Sequence, residues 1–364
     1  MSPLAVAVHL SGAPPVWTSA TPLVTPRVAS GYYIVGNGNP GPDMAGIRWT
    51  SQTRYVGFSQ TAAEQVPTSG WVRTFLAGGG WLNLVVELKS YASGGAAVGA
   101  QSLTVEGRTY SVPAMAGIRH PGRSTQSSMW SYRQVMQGQC DGLIHRLSAA
   151  LRTVPAAGRI TVQLDSEVDT TNQYGTTDDA ALYSWAASDE YAVAAYSYVI
   201  RWLRDPPAGI APVPSNVTFS LGYAGQWSGA AAFLRTHPDA LPVDFCMWNV
   251  YNRNANSTPA VRLRETLAYR DQAGPRMRSL PIIVAEFGSS AAWPGGQAAY
   301  LEQWPSAVNT VNRELARKGQ GGYVMTNWFG SNAAEWGKVP DADKPAFFAA
   351  MSRAYATSPF LVGA

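Results

Sequence analysis

Eight short β-rich runs alternate with helical segments along most of this 364-residue chain. The runs cover residues 32–35, 54–59, 81–89, 159–167, 217–222, 244–251, 280–286 and 322–328. Helical patterns occupy 141–154, 188–204, 259–272, 297–318 (interrupted at Pro305) and 344–356. Strands separated by helices build a parallel sheet, and eight such units favour closure into a barrel. We therefore predict an α/β fold, a (β/α)₈ TIM barrel over residues 31–364, with a doubly wound open sheet as the alternative.

Two segments do not fit the repeating unit. Residues 1–30 are rich in Pro, Ser, Thr and Val and predict an N-terminal extended arm or one added strand. Within residues 90–129, two β-rich runs flank Glu106 and Gly107, which predicts a β-hairpin inserted after the third strand. Active sites of such barrels lie at the C-terminal ends of the strands, and we place the hairpin on that side.

Composition bears on several classes of protein. An apolar fraction of 46% with 14% charged residues favours a large core over disorder. The net charge of +4 comes without a basic run, so we expect no nucleic-acid partner. Residues 1–27 lack a charged start followed by a continuous apolar stretch, so we expect no signal peptide. No run of about eighteen apolar residues occurs, so we expect no membrane insertion. The location is left open between the cytoplasm and release in a phage particle or by lysis.

Motifs for cofactors and metals are weak or missing. Residues 36–41 match the G-x-G-x-x-G dinucleotide fingerprint, but Asn39-Pro40 sets a turn where that motif should enter its helix. An NAD enzyme with an open sheet is thus a minor alternative. The four His residues are scattered, and Cys140 and Cys246 suggest buried free thiols rather than ligands. We therefore expect neither a cofactor nor a metal ion.

Two carboxylates end predicted strands that lie across a barrel mouth from each other. Glu167 ends the fourth strand, in which alternation also turns Gln163 and Asp165 toward the barrel axis. Glu286 ends the seventh strand after four apolar residues. Glycosidases need such a pair, since one group protonates the leaving oxygen while the other attacks the sugar or activates water. The pair predicts a glycoside hydrolase, although Glu167 alone fits equally well as the first residue of a solvated loop.

Further residues near the strand ends are candidates for substrate binding. Asn249 and Tyr251 share a face of the sixth strand, and the Tyr251 hydroxyl is suited to hold Glu286 ionised by donating a hydrogen bond. Trp328 ends the eighth strand and is a candidate floor of a sugar site. Sugar rings have apolar faces edged with hydroxyls and suit aromatic side chains. The remaining candidates for substrate binding are Asp165, Tyr174, Trp227 and Trp293.

The order of these motifs resembles glycoside hydrolase family 26, the β-mannanase-type family, with its actinobacterial and phage relatives. The resemblance runs over residues 31–358 and rests on Gln163-Leu-Asp-Ser-Glu167, on Val243-Asp244 through Asn249-Val-Tyr251, and on Ala285-Glu286-Phe287-Gly288. It implies a retaining (β/α)₈ glycosidase. Glu167 is then the acid/base, Glu286 the nucleophile, and Tyr251 the residue in contact with the nucleophile.

The chain departs from the family around the fourth strand. Mannanases usually carry His before the strand-four Glu and an aromatic run after it, whereas Ser166 precedes Glu167 here. The wall of the sugar site should therefore differ, which puts mannan in doubt as the substrate. We expect a polysaccharide or oligosaccharide partner. A GC-rich coding sequence, indicated by 23 Arg against four Lys, and the lack of a signal peptide pattern together fit a phage enzyme that acts on a bacterial cell-envelope glycan. We also expect endo action.

The rival hypothesis is a non-catalytic carbohydrate-binding barrel, such as a phage tail or adhesion component. Ser166 favours it, and the two Glu residues at strand ends argue against it. The sequence sets neither the sugar and its linkage nor the oligomeric state.

Overall fold

The structure is a computed structural model, and it describes residues 29–34, 51–58, 70–87, 89–90, 99–119, 126–130, 132–164, 189–223, 234–253, 255–330, 343, 345–347, 349–350 and 353. Its strands are β1 (Ala29–Ile34), β2 (Ser51–Gly57), β3 (Trp81–Glu87), β4 (Lys89–Ser90), β5 (Gln101–Val105), β6 (Arg108–Val112), β7 (Ala116–Arg119), β8 (Gln126–Met129), β9 (Arg159–Leu164), β10 (Val217–Tyr223), β11 (Phe245–Asn252), β12 (Ile282–Ser289) and β13 (Tyr323–Gly330).

Eight of these strands close into one parallel barrel in the order β1-β13-β12-β11-β10-β9-β3-β2. Closure follows because β1 pairs in parallel with both β13 and β2. Each barrel strand overlaps one of the eight β-rich runs of the sequence. The (β/α)₈ prediction is confirmed, and the open-sheet alternative is wrong because the sheet has no free edges.

The helices are α1 (Gly70–Ala77), α2 (Tyr132–Met136), α3 (Asp141–Leu151), α4 (Asp189–Arg204), α5 (Pro259–Gln272), α6 (Pro275–Ser279) and α7 (Gly296–Arg317). The interruption expected at Pro305 is wrong, because α7 runs through it. A proline inside a helix costs about 3 kcal/mol. Buried Tyr300, Leu301, Trp304 and Val308 share one face of α7, and burying each such side chain contributes about 1.5–3 kcal/mol. Most of the helix predicted at 344–356 lies outside the described residues.

The strands divide their side chains between two cores. Val162 and Leu164 of β9 join the larger core between the barrel and the helices, as alternation predicted. Gln163, between them, turns into the barrel and accepts a hydrogen bond from Asn83 Nδ2 at 2.8 Å. A smaller apolar cluster inside the barrel is formed by Phe245, Met247, Ile283, Ala285, Val324 and Met325, with Trp81 packed against it. The interior is therefore partly apolar and partly hydrogen-bonded.

The segment between β3 and α2 contains an antiparallel hairpin of β5 and β6. Glu106 and Gly107 form its turn with positive φ angles of 48° and 78°, as a type I′ hairpin turn requires. Glu106 accepts hydrogen bonds from His145 Nε2 at 2.9 Å and from Arg152 Nη2 at 2.5 Å. Arg152 lies between α3 and the start of β9, which is the N-terminal side of the barrel. The hairpin turn therefore packs on the N-terminal side of the barrel and not on the expected C-terminal side, because Glu106 pairs with Arg152.

Several sequence expectations concern parts of the chain that are not described. Residues 1–28 of the expected arm and residues 36–41 of the G-x-G-x-x-G match lie outside the described residues.

Cys140 and Cys246 are buried free thiols, as expected. Within the described part of the chain, every helix is too short or too polar to span a lipid bilayer.

Candidate active site

Strand β12 carries a β-bulge at Ala285 and Glu286. On one side Trp248 pairs with Val284 and Asn249 with Glu286, so Ala285 is an extra residue relative to β11. The register against β13 also shifts between Val284 and Phe287. Bulges re-aim side chains and are frequent next to active sites. The regular two-residue alternation of β12 therefore ends at this point.

The bulge turns Glu286 into the barrel. Ile283 and Ala285 belong to the interior cluster, and Val284 and Phe287 belong to the outer core. In a regular strand Glu286 would follow Val284 toward the helices, because side chains two residues apart share a face. Instead Glu286 follows Ala285 into the interior at the C-terminal part of β12. This is the end of the strands at which barrel enzymes keep their reactive groups.

Two side chains of β11 bind the Glu286 carboxylate. The Tyr251 hydroxyl donates a hydrogen bond to Glu286 Oε2, and Asn249 Nδ2 approaches the same oxygen at 3.4 Å. Glu286 is only 5% exposed, and both donors are buried as well. A buried carboxylate is costly unless hydrogen bonds satisfy it, and bonds donated to its oxygens stabilise the charged form. The arrangement suits a carboxylate that stays ionised and keeps one orientation.

The position of Tyr251 is supported from α5. Arg262 donates from Nε to the Tyr251 carbonyl oxygen at 3.0 Å, and its Nη2 donates to the same oxygen. Arg262 also pairs with Glu265 one turn further along the helix. On the exposed side, the Arg253 guanidinium lies 5.6 Å from the centre of the Tyr251 ring. No sequence signal pointed to Arg262, since it lies eleven residues from Tyr251 in a separate helix.

The structure places Trp328 behind β13 rather than at the floor of a sugar site. Its side chain is fully buried, with its ring edge-on to Phe287 at 5.2 Å and tilted against Phe347 at 4.8 Å. The preceding residue, Asn327, is the one that faces the barrel interior, where it hydrogen-bonds Thr53. Because neighbouring residues of a strand point to opposite faces, Trp328 packs toward the helices.

Trp293 lies in the turn between β12 and α7, on the same side of the barrel as Glu286. It is half-buried and meets Tyr300 edge-on, with ring centres 5.3 Å apart. It stays a candidate for contact with a ligand. The other sequence candidates, Asp165, Glu167, Tyr174 and Trp227, lie outside the described residues. Strand β9 ends at Leu164, three residues before Glu167.

Within the described ranges, no three His, Cys, Asp or Glu side chains are grouped in a way that could hold a metal ion. Burial raises the pKa of both the Cys140 and the Cys246 thiol to about 12.

Comparison with known proteins shows similarity in structure but not in sequence. No protein-family model matches the chain, and no curated protein matches it. A modular endo-β-1,4-mannanase of glycoside hydrolase family 26 from Cellulomonas fimi aligns over 100% of this chain and 77% of its own, with a TM-score of 0.55 and 16% identity. GH26C from Muricauda sp. MAR_2010_75 aligns over 93% and 87%, with a TM-score of 0.54 and 10% identity.

The catalytic domain of a Bacillus sp. JAMB-750 GH26 endo-β-1,4-mannanase aligns over 99% of this chain and 92% of its own. Its TM-score is 0.50 and its identity 15%. Similarities at this level of identity concern the fold. The chain therefore has the barrel fold of these family 26 glycoside hydrolase structures, as the resemblance in sequence predicted.

Proposed function

We propose that this chain is a retaining glycoside hydrolase of the family 26 type, which cleaves a polysaccharide by double displacement. The observation that carries the proposal is the environment of Glu286. This carboxylate is buried at the C-terminal part of a barrel strand, turned inward by a bulge, and bound by Tyr251 and Asn249. The shared fold with family 26 structures supports the same assignment.

In this mechanism Glu286 is the nucleophile. Its carboxylate attacks the anomeric carbon while Glu167 gives a proton to the departing glycosidic oxygen, so the bond between the sugars breaks as the glycosyl–enzyme bond forms. Glu167 then removes a proton from water, the water oxygen attacks the anomeric carbon, and Glu286 leaves as a carboxylate. The two carboxyl groups suffice for this chemistry.

Tyr251 and Asn249 keep Glu286 ready to attack. Glu286 Oε2 accepts the hydrogen bonds of both side chains, and we infer that they fix the orientation of the carboxylate inside the barrel. Asp165, Tyr174, Trp227 and Trp293 are proposed to contact the substrate.

The finer assignment is an endo-acting enzyme on a bacterial cell-envelope glycan, from an actinobacterial or phage source. The support for the glycan and the source is the Arg-rich, Lys-poor composition and the departure from the mannanase pattern at Ser166. The support for endo action is the shared fold with endo-β-1,4-mannanases. We further propose the division expected from the sequence, an arm at residues 1–30 and a catalytic barrel over residues 31–364, with the boundary moved to Ala29 because β1 of the barrel begins there.

The test is release of reducing sugars from mannans, glucans, galactans and an actinobacterial arabinogalactan. Wild type should release sugar from at least one glycan, and Glu286→Gln should release none, since the neutral amide is a poor nucleophile. Glu302→Gln is the matched control, because Glu302 lies on the surface of α7 in an ion pair with Arg353. It should keep wild-type activity.

Two further results decide the details. The first product anomer, followed by proton NMR, should have the configuration of the substrate if the mechanism is retaining. Absence of hydrolysis of every glycan, with equal glycan binding by wild type and Glu286→Gln, would instead indicate the non-catalytic carbohydrate-binding barrel.

A further inference from the structure

A chain of three buried side chains reaches the backbone next to Glu286 from the far side of the barrel interior. The Thr53 hydroxyl of β2 donates to the Ala285 carbonyl oxygen at 3.0 Å. Thr53 Oγ1 accepts a hydrogen bond from Asn327 Nδ2 at 2.8 Å. Asn327 Oδ1 in turn accepts from Ser51 Oγ at 2.6 Å. Strands β2 and β12 are three positions apart around the barrel, so this contact crosses the interior.

The donors and acceptors in this chain leave no choice of direction. The Asn327 side chain gives its amide N–H to Thr53 and accepts on its oxygen from Ser51. A threonine hydroxyl has one proton, and its oxygen already accepts from Asn327. The proton therefore points at the Ala285 carbonyl. All three side chains are buried, so water does not compete for these groups.

The carbonyl that Thr53 binds belongs to the bulge. Ala285 has no pairing partner in the register of β12 with β11 or with β13. Bulges interrupt the ladder of backbone hydrogen bonds, and buried carbonyl groups need another donor. Thr53 supplies a donor from outside the ladder, one residue before Glu286.

We propose that Thr53, oriented by Asn327 and Ser51, is a positioning residue that holds the bulge of β12 and thereby the direction of Glu286. The inference rests on the proposed function, in which Glu286 attacks the sugar. Nucleophilic attack needs reacting atoms about 3–3.5 Å apart, and a displacement of about 1 Å can cost about a hundredfold in rate. Loosening the bulge therefore acts on the rate of the chemical step.

The kinetic test compares three variants on the glycan that the wild type hydrolyses best. Thr53→Val removes the hydroxyl and nearly keeps the volume, and it should lower kcat about tenfold to a hundredfold with KM within about twofold. Thr53→Ser keeps the hydroxyl and should restore kcat to within about threefold of wild type.

Thr218→Val is the matched control. The Thr218 hydroxyl is also buried inside the barrel and also bonds a backbone carbonyl, that of Ile160 at 3.2 Å. It lies on β10 beside Thr161 of β9, away from β12. This variant should lose a similar amount of thermal stability to Thr53→Val but keep kcat within about twofold. Equal kcat values for Thr53→Val and Thr218→Val would overturn the proposal.

A crystal structure of Thr53→Val gives a readout that does not depend on activity. We expect a rotated Ala285 carbonyl and a Glu286 carboxylate displaced from the Tyr251 hydroxyl, and an unchanged bulge and contact would overturn the proposal. If the wild type hydrolyses no glycan, the proposed function fails while this comparison still decides the role of Thr53. If Thr53→Val does not fold, Ser51→Ala tests the same chain, with displacement of the Ala285 carbonyl expected and an unchanged one overturning it.

Discussion

Removal of the Tyr251 hydroxyl is the sharpest perturbation of the contacts around Glu286. Tyr251→Phe keeps the ring, the backbone carbonyl that Arg262 binds, and the pairing of β11 with β12. It deletes the hydrogen bond that the hydroxyl donates to Glu286 Oε2. Asn249 Nδ2, at 3.4 Å from that oxygen, is too distant to replace it in full.

The magnitude follows from the charge of the acceptor. A hydrogen bond to a charged group contributes about 1.5–3 kcal/mol. Each 1.36 kcal/mol in the barrier is a tenfold change in rate. If the bond orients and stabilises the attacking carboxylate, its loss should lower kcat/KM about 10- to 150-fold. The main effect should fall on kcat, because the hydroxyl contacts the proposed nucleophile.

The matched control is Tyr300→Phe. Tyr300 is fully buried, and its hydroxyl makes no hydrogen bond in the part of the chain that is described. Removing this hydroxyl should leave kcat/KM unchanged and should not lower stability, because no partner is lost. Initial rates of reducing-sugar release over a range of substrate concentrations measure both variants. A Tyr251→Phe variant within twofold of wild type would refute the assigned role of this contact.

Two further predictions concern the stability of the fold. Hydrogen bonds from His145 and Arg152 hold the pKa of Glu106 below its usual value. Ionised Glu106 therefore stabilises the hairpin above the pKa that it has in the unfolded chain, and this contribution is lost as the pH falls through the lowered pKa of the folded state. Because Glu106 is half exposed, Glu106→Gln should cost about 1 kcal/mol or less at pH 7, and its difference in Tm from wild type should shrink below about pH 4. A Cβ on Gly321 would lie 2.0 Å from the Leu280 carbonyl oxygen, so Gly321→Ala should lower the free energy of unfolding in urea by about 1–3 kcal/mol. Gly99→Ala should not, because a Cβ there meets no atom of the described residues within 4 Å.

The barrel was predictable because its signal is repeated. Each of the eight β-rich runs became a barrel strand, and helices α3, α4, α5 and α7 fell within a few residues of the periodic segments. The start of β2 was missed, since the predicted run began at residue 54 and the strand begins at Ser51. Ser51, Gln52 and Thr53 look like a loop in sequence. They belong to a strand because the barrel interior there is hydrogen-bonded rather than apolar.

The candidate site was predictable in part. Glu286, Tyr251 and Asn249 were singled out together, and the structure brings the three into contact. The bulge was not visible, because a shift in register depends on the neighbouring strands and leaves no mark in the local sequence. The same reason explains Trp328, whose face of β13 is decided by pairing rather than by its place at a strand end.

In the proposed function, the bulge of β12 lets different residues set the orientation of Glu286 and the choice of glycan. The direction of Glu286 is set by neighbours within the barrel wall, Tyr251 and Asn249 beside it and Thr53 across from it. These three contacts all come from strands of the barrel wall. In the proposed function, we therefore expect differences in substrate, such as the departure from the mannanase pattern at Ser166, to arise at residues outside these strands.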